Sequence, residues 1–157
     1  MIRLLIILLG FVGVSATPDQ PFRVAYNKQV TKELTTWSDS FEKAEYIKTI
    51  DSREFYRMLD RTGETMGTLV LTSAQGRFER FDLMVVVDPA GKISLIRILK
   101  YRSEYGSEIT NKKWLAQFYA KTDSSFALHK NIDAISGATY SSHGIINEIN
   151  FILDQLN

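Results

Sequence analysis

The sequence predicts an α+β fold: a single domain in which an antiparallel sheet of hairpins is flanked by N-terminal and C-terminal helices. Three observations predict it. At 157 residues, with 45% hydrophobic and 24% charged side chains, the chain has the size and composition of one compact domain with its own core. Its middle holds β-branched runs separated only by short turn sequences, and strands in such succession, with no helix between them, pair antiparallel. Both ends carry apolar residues at helical spacing.

The elements follow in order. "MIRLLIILLGFVGVSA" has a positive start at Arg3, a short apolar run from Leu4 to Val14, and small residues at the cleavage positions before and at Ala16. It reads as a secretory signal peptide over residues 1–16, its apolar run being short against the roughly 20 residues of a membrane span. Residues 17–62 form the N-terminal helical and strand segment of the domain, and residues 63–157 its core. In "YNKQVTKELTTWSDSFEKAEYIKTI", Val30, Leu34 and Trp37 stand at helical spacing. Phe41, Ala44, Tyr46, Ile47 and Ile50 follow, with Asp39 or Ser40 as a cap, so one or two short helices are expected here.

Two hairpins come next. "RTGE" separates two β-forming runs, and its Gly63 suits a tight turn. The second is clearer: "FDLMVVV" and "KISLIRIL" flank Asp88-Pro89-Ala90-Gly91, where proline presets the first turn torsion. From Asn111, "NKKWLAQFYAK" turns helical, with Trp114, Leu115, Phe118 and Tyr119 on one stripe that reads as core packing. A last helix, from about Ser141 to Leu156, presents Ile145, Ile149, Ile152, Leu153 and Leu156 on one face.

Composition excludes several functions. The chain has 19 Lys plus Arg and 18 Asp plus Glu, and loss of Arg3 with the signal leaves 18 of each, so no basic excess selects nucleic acid as a partner. With no cysteine, disulfides, thiolate catalysis and cysteine-ligated zinc are excluded. His129 and His143, the only histidines, are too few for a multi-histidine metal site, and no metal site is expected.

The chemistry concentrates before the last helix, in "DAISGATYSSHG". The first turn of a helix leaves backbone N–H groups unpaired and carries partial positive charge, which attracts phosphate. Gly137 permits close approach, and Ser136, Thr139, Ser141 and Ser142 supply hydroxyls. The same residues also suit a plainer role, with Ser141 or Ser142 capping the helix and Gly137 turning the chain. The loop is neither a Walker-type phosphate loop nor the GxGxxG fingerprint, since the required residues do not follow its glycine.

The run Asp133-Ala134-Ile135-Ser136-Gly137-Ala138-Thr139-Tyr140-Ser141 resembles the covalent flavin attachment motif of the FMN-binding domain family. That family includes the C subunit of the sodium-pumping NADH:quinone reductase and the G subunit of the Rnf electron-transport complex. The resemblance covers about residues 67–156, with "FDLMVVVDPAGKISLIRILKYRSEYGSEI" similar to the family's strand, turn, strand and glycine-containing loop. It implies FMN joined through a phosphoester to Thr139, installed outside the cytoplasm by a magnesium-dependent flavin transferase that uses FAD. Ser136, Gly137, Ala138, Ser141 and Ser142 are then expected to hold the phosphate, Asp133 to brace the loop or to be recognised by the transferase, and Tyr105 and Glu108 to lie near the flavin ring. Where members in respiratory complexes tend to have Thr-Pro-Gly-Leu-Gly, this chain has "SEYGSEI", Ser103 to Ile109, which sets it apart from a straightforward subunit of those complexes.

The function expected is that of an extracytoplasmic electron carrier, passing electrons between a membrane redox complex and an acceptor rather than acting as a free-standing enzyme. The alternatives are a small secreted flavin-dependent reductase with its own substrate, a cofactor-free binding module, and a secreted serine hydrolase. The hydrolase would need Ser142 to work with His129, because adjacent His143 is poorly placed to be its base, and no Gly-x-Ser-x-Gly elbow exists.

Overall fold

The computed structural model describes residues 21–121 and 125–156, with the backbone alone for residues 21–24. The signal peptide expected over residues 1–16 lies outside the described residues. Helix α1 (Pro21–Trp37) is followed by strands β1 (Phe41–Ile50), β2 (Arg53–Asp60), β3 (Thr65–Gln75), β4 (Arg80–Val87) and β5 (Ile93–Lys100). A 3-10 turn (Ser107–Thr110), the short helix α2 (Lys112–Leu115), a second 3-10 turn (Ala116–Phe118) and helix α3 (Thr139–Leu156) complete the order. The five strands form one antiparallel meander in sequence order, with helices on both faces, and the expected α+β class is what the chain adopts.

Period-2 alternation divides the strands between two cores. Phe55, Val70, Leu83, Val85 and Ile96 point to the α3 face, where Trp114, Leu115 and Phe118 join Ile145, Ile149, Ile152 and Leu153. Tyr56, Met58, Leu69, Leu71, Met84, Val86 and Leu95 point to the α1 face and meet Val30 and Leu34. Helix α3 lies close against β3: a Cβ at Gly144 would stand 2.0 Å from the Gln75 carbonyl oxygen, so only glycine permits this approach. Farther along α3, buried Glu148 accepts from Thr72 Oγ1 (2.6 Å) and from the Arg53 guanidinium, whose Nη2 lies 3.0 Å from Oε2. That guanidinium stacks 3.8 Å from the Phe151 ring centroid. Among the described residues no helix is long and apolar enough to cross a membrane.

Both expected hairpins form. Asp60 Oδ1 accepts from the Thr62 and Glu64 amides at 2.8 and 2.9 Å, and Gly63 has φ +85°. Asp88 Oδ1 accepts from the Ala90 and Lys92 amides, each at 2.9 Å.

Two expectations are corrected. The second N-terminal helix is instead strand β1. Register shifts between Phe41 and Lys43 and between Tyr46 and Lys48 interrupt its alternation, so its apolar residues fall at spacings that imitate a helix. Asp51 and Ser52, with φ +46° and +65°, make the tight turn into β2 without the Asn-Gly that usually announces one. The helix expected from Asn111 is also broken up. Asn111 caps it as a side-chain acceptor for the Lys113 and Trp114 amides, but it tightens to 3-10 after Leu115 and ends before Ala120, at φ +55°. What stops it is the sheet edge. The Ala120 N–H donates to Ile93 O (3.0 Å), and the Tyr119 hydroxyl accepts from Ile96 N (3.0 Å) and donates to Ile96 O (3.2 Å), covering β5.

Candidate functional site

The site lies where three connections meet the start of α3. Gly76 to Glu79 joins β3 to β4, Tyr101 to Gly106 leaves β5, and Asp133 to Ala138 leads into the helix. Gly137, Ala138, Thr139, Tyr140 and Ser141 line one wall of a hollow of about 220 Å³; Tyr105 and Gly106 line a second, and Arg77 a third. One cation and no acid face this hollow.

The wall made by α3 is rich in donors. Ala138 precedes the helix, and its carbonyl accepts from the Ser142 amide at 2.9 Å, the first bond of the helical ladder. Alanine has no side-chain acceptor, so the Thr139, Tyr140 and Ser141 N–H groups meet neither a carbonyl nor a side chain among the described residues. Thr139 is exposed beside them.

The neighbouring serines have other commitments. Ser142 is fully buried and its hydroxyl donates to Ala138 O at 2.9 Å; it makes no hydrogen bond with either histidine, which leaves a hydrolytic serine without a base. Ser141 is buried, with its Oγ 2.8 Å from the Tyr101 hydroxyl. The Tyr101 hydroxyl also donates to Tyr105 O at 2.6 Å, so its single proton is used there and Ser141 supplies the proton of the other bond. Tyr101 thus couples the helix start to the Tyr105 loop. Gly106, at φ +83°, makes room for this junction, since a Cβ there would stand 2.8 Å from both Ser141 Oγ and the Tyr101 hydroxyl.

The rim is aromatic. Among the described residues the exposed large hydrophobic side chains are Ile47, Phe78, Tyr105 and Tyr140, and the last three, each 63% exposed, surround this hollow. Phe78 and Tyr105 meet edge-on, with ring centroids 6.1 Å apart. The Arg77 guanidinium carbon lies 5.1 Å from the Phe78 centroid and 5.6 Å from that of Tyr140.

Of the residues singled out in the sequence, Gly137, Ala138, Thr139, Ser141 and Tyr105 line the hollow, while Ser136, Ser142, Asp133 and Glu108 do not. Glu108 lies against Gly137, where a Cβ would stand 3.0 Å from its Oε1. Ser136, beside it, is exposed. Asp133 braces the loop through its backbone: its N–H donates to Gln117 Oε1 and its carbonyl accepts from the Trp114 indole N–H, each at 2.8 Å, while its side chain is exposed. Trp114 is accordingly a core residue. Sequence reasoning missed Arg77, Phe78 and Tyr140. The available signal was an Arg-Phe pair at the tip of a strand connection, and an aromatic residue inside the motif itself.

One buried charge cluster supports the site from the other face. Asp82 accepts from Ser73 Oγ (2.8 Å), the Tyr26 hydroxyl and Arg102 Nη2. Burial pushes the Asp82 carboxyl up, but the bonds from Arg102, Tyr26 and Ser73 outweigh it and hold the pKa below the ordinary carboxylate value. Burial, with Asp82 beside it, raises Tyr26; the bond to Asp82 raises Arg102.

An exposed threonine hydroxyl, unpaired helix amides, one arginine and an aromatic rim define a site for an anionic, ring-bearing ligand at a sheet-and-helix junction. Residues 78–154 match the family described as the FMN-binding domain. This stretch of the chain is an FMN-binding domain of that family, as its motif implies. A crystal structure of NqrC from Shewanella oneidensis is similar at 18% identity and a TM-score of 0.48, over 64% of this chain and 54% of that one. The chain thus matches about half the length of that protein. No curated protein matches it.

Proposed function

We propose that the protein carries FMN covalently, through a phosphoester to Thr139 Oγ1, and serves as an electron carrier outside the cytoplasm. The observation that carries this reading is the hollow itself, where Thr139 is exposed beside three unpaired first-turn amides with no acid in the lining. These residues fit a phosphate ester, because the amides and the helix start offer donors and partial positive charge to its oxygens. The exposed Phe78, Tyr105 and Tyr140 rings fit a planar heterocycle.

In the attachment step, Thr139 Oγ1 displaces AMP from the flavin-side phosphorus of FAD, releasing AMP and a proton, with a flavin transferase as partner. The bound FMN would supply one- and two-electron chemistry. The chain's part is to retain the phosphate, orient the ring against the rim and hold the 101–106 loop through Tyr101. Retention by a covalent bond suits an exported protein, from whose surroundings a free cofactor would diffuse away. The "MIRLLIILLGFVGVSA" start supports export, and a membrane redox complex is the partner such a carrier would serve.

Co-expression with a flavin transferase tests the assignment. The denatured band should fluoresce under ultraviolet light in the wild type and be dark in Thr139→Val. A fluorescent Thr139→Val band would refute attachment at this hydroxyl. Repeated turnover of a soluble acceptor by the isolated, loaded protein would move the reading from carrier to reductase.

A further inference from the structure

We propose that Arg77 is the counter-cation for the flavin phosphate and makes the site select phosphorylated over unphosphorylated flavin. This rests on the FMN reading above and deepens it. Arg77 lies one residue before the matched domain, so the family assignment gives it no role.

The side chain is exposed and pairs with no carboxylate among the described residues. Its guanidinium lies against the rings of Phe78 and Tyr140, at 5.1 and 5.6 Å. A guanidinium held against ring faces keeps its N–H groups directed away from them, available to an acceptor. It also lines the hollow that Thr139 lines. An unpaired arginine beside a helix start with unpaired amides is a concentration of positive charge with no acid in the lining; Glu108 lies against Gly137 but outside that lining, and no ion pair joins it to Arg77.

The charge count is suited to the ligand. A free flavin phosphate is a monoester with close to two negative charges at neutral pH, whereas the threonyl ester is a diester with one. The helix start contributes the equivalent of about half a positive charge, and Arg77 contributes one. Two N–H groups of a planar guanidinium can also meet the two non-bridging oxygens of a diester together, which an ammonium cannot do.

The test uses FMN and riboflavin as probes on the unloaded chain, made without the transferase, with affinities read from flavin fluorescence. FMN should bind the wild type more tightly than riboflavin. Arg77→Gln should cut that ratio at least fivefold while leaving riboflavin affinity unchanged, and Arg77→Lys should restore part of it. An unchanged ratio in Arg77→Gln, an equal loss for both probes, or no preference for FMN in the wild type would each overturn the proposal. Loss of folding in Arg77→Gln, seen as a large fall in melting temperature, would also overturn it, by making the residue structural. The parent reading fails separately: a dark wild-type band, or a fluorescent Thr139→Val band, refutes covalent attachment whatever Arg77 does.

Discussion

Two hollows of nearly equal volume lie on opposite faces of the sheet. The one between α1 and β1, about 240 Å³, has a floor of Val30, Leu34, Leu69 and Leu71, and its rim carries acidic Glu42 and basic Lys43, the latter ion-paired with Glu45. The one at the start of α3, about 220 Å³, has an unpaired arginine, free amides and the exposed Thr139. Volume does not distinguish them. What does is the balance of polar groups in the lining: the first carries one acid, Glu42, and one base, Lys43, whereas in the second the donors outnumber the acceptors.

Three substitutions break or sharpen this contrast. The largest effect is expected from Gly144→Val, which drives a side chain into the Gln75 carbonyl and lifts α3 from β3. It should destabilise by about 3 kcal/mol or more, measured by urea unfolding, and abolish flavin labelling by displacing Thr139. Next is Leu34→Ala in the floor of the other hollow. Leu34 is 1% exposed, so its loss should destabilise by about 3 kcal/mol, yet flavin labelling below the melting temperature should match the wild type. A Leu34→Ala protein that folds but does not label would break the contrast.

The smallest effect is expected from Asp82→Asn, which sharpens the contrast because Asp82 lies on the α1 face but holds Arg102, next to the tyrosine that reaches Ser141. Its folded pKa is depressed, so its contribution is present above the unfolded carboxylate value of about 3.9 and is lost as pH falls through the lower folded value. Asp82→Asn should therefore be less stable than the wild type at pH 7 by about 2 kcal/mol, and the difference should shrink below pH of about 4. Urea unfolding at pH 7 and pH 3 measures both.

The candidate site was legible because its motif, Asp133 to Ser141, is a contiguous run of residues, and a contiguous run is what a sequence displays. The inward direction of the serines was legible as well, though only by extending the apolar stripe of α3 backward. At about 100° per residue, Ile145, Ile149 and Ile152 carry Ser141 and Ser142 into the same buried arc, while Thr139 shares the exposed arc with His143 and Asn147. Strand β1 was hidden by its bulges, which shift apolar residues off the two-residue period on which recognition depends. Arg77 and Phe78 were hidden for another reason: they stand far from Thr139 along the chain, and only the meander brings their connection to the end of the sheet where α3 begins.

The alanine before α3 has a consequence for anyone who sets out to improve this protein. Serine, threonine, aspartate and asparagine are the favoured residues at such a position, and replacing one by alanine typically costs about 1 kcal/mol. Placing one at Ala138 would strengthen the empty polypeptide and would aim an oxygen at the amides here proposed for the phosphate. Selection for heat resistance in unloaded protein would thus tend to fill the seat before its occupant arrives.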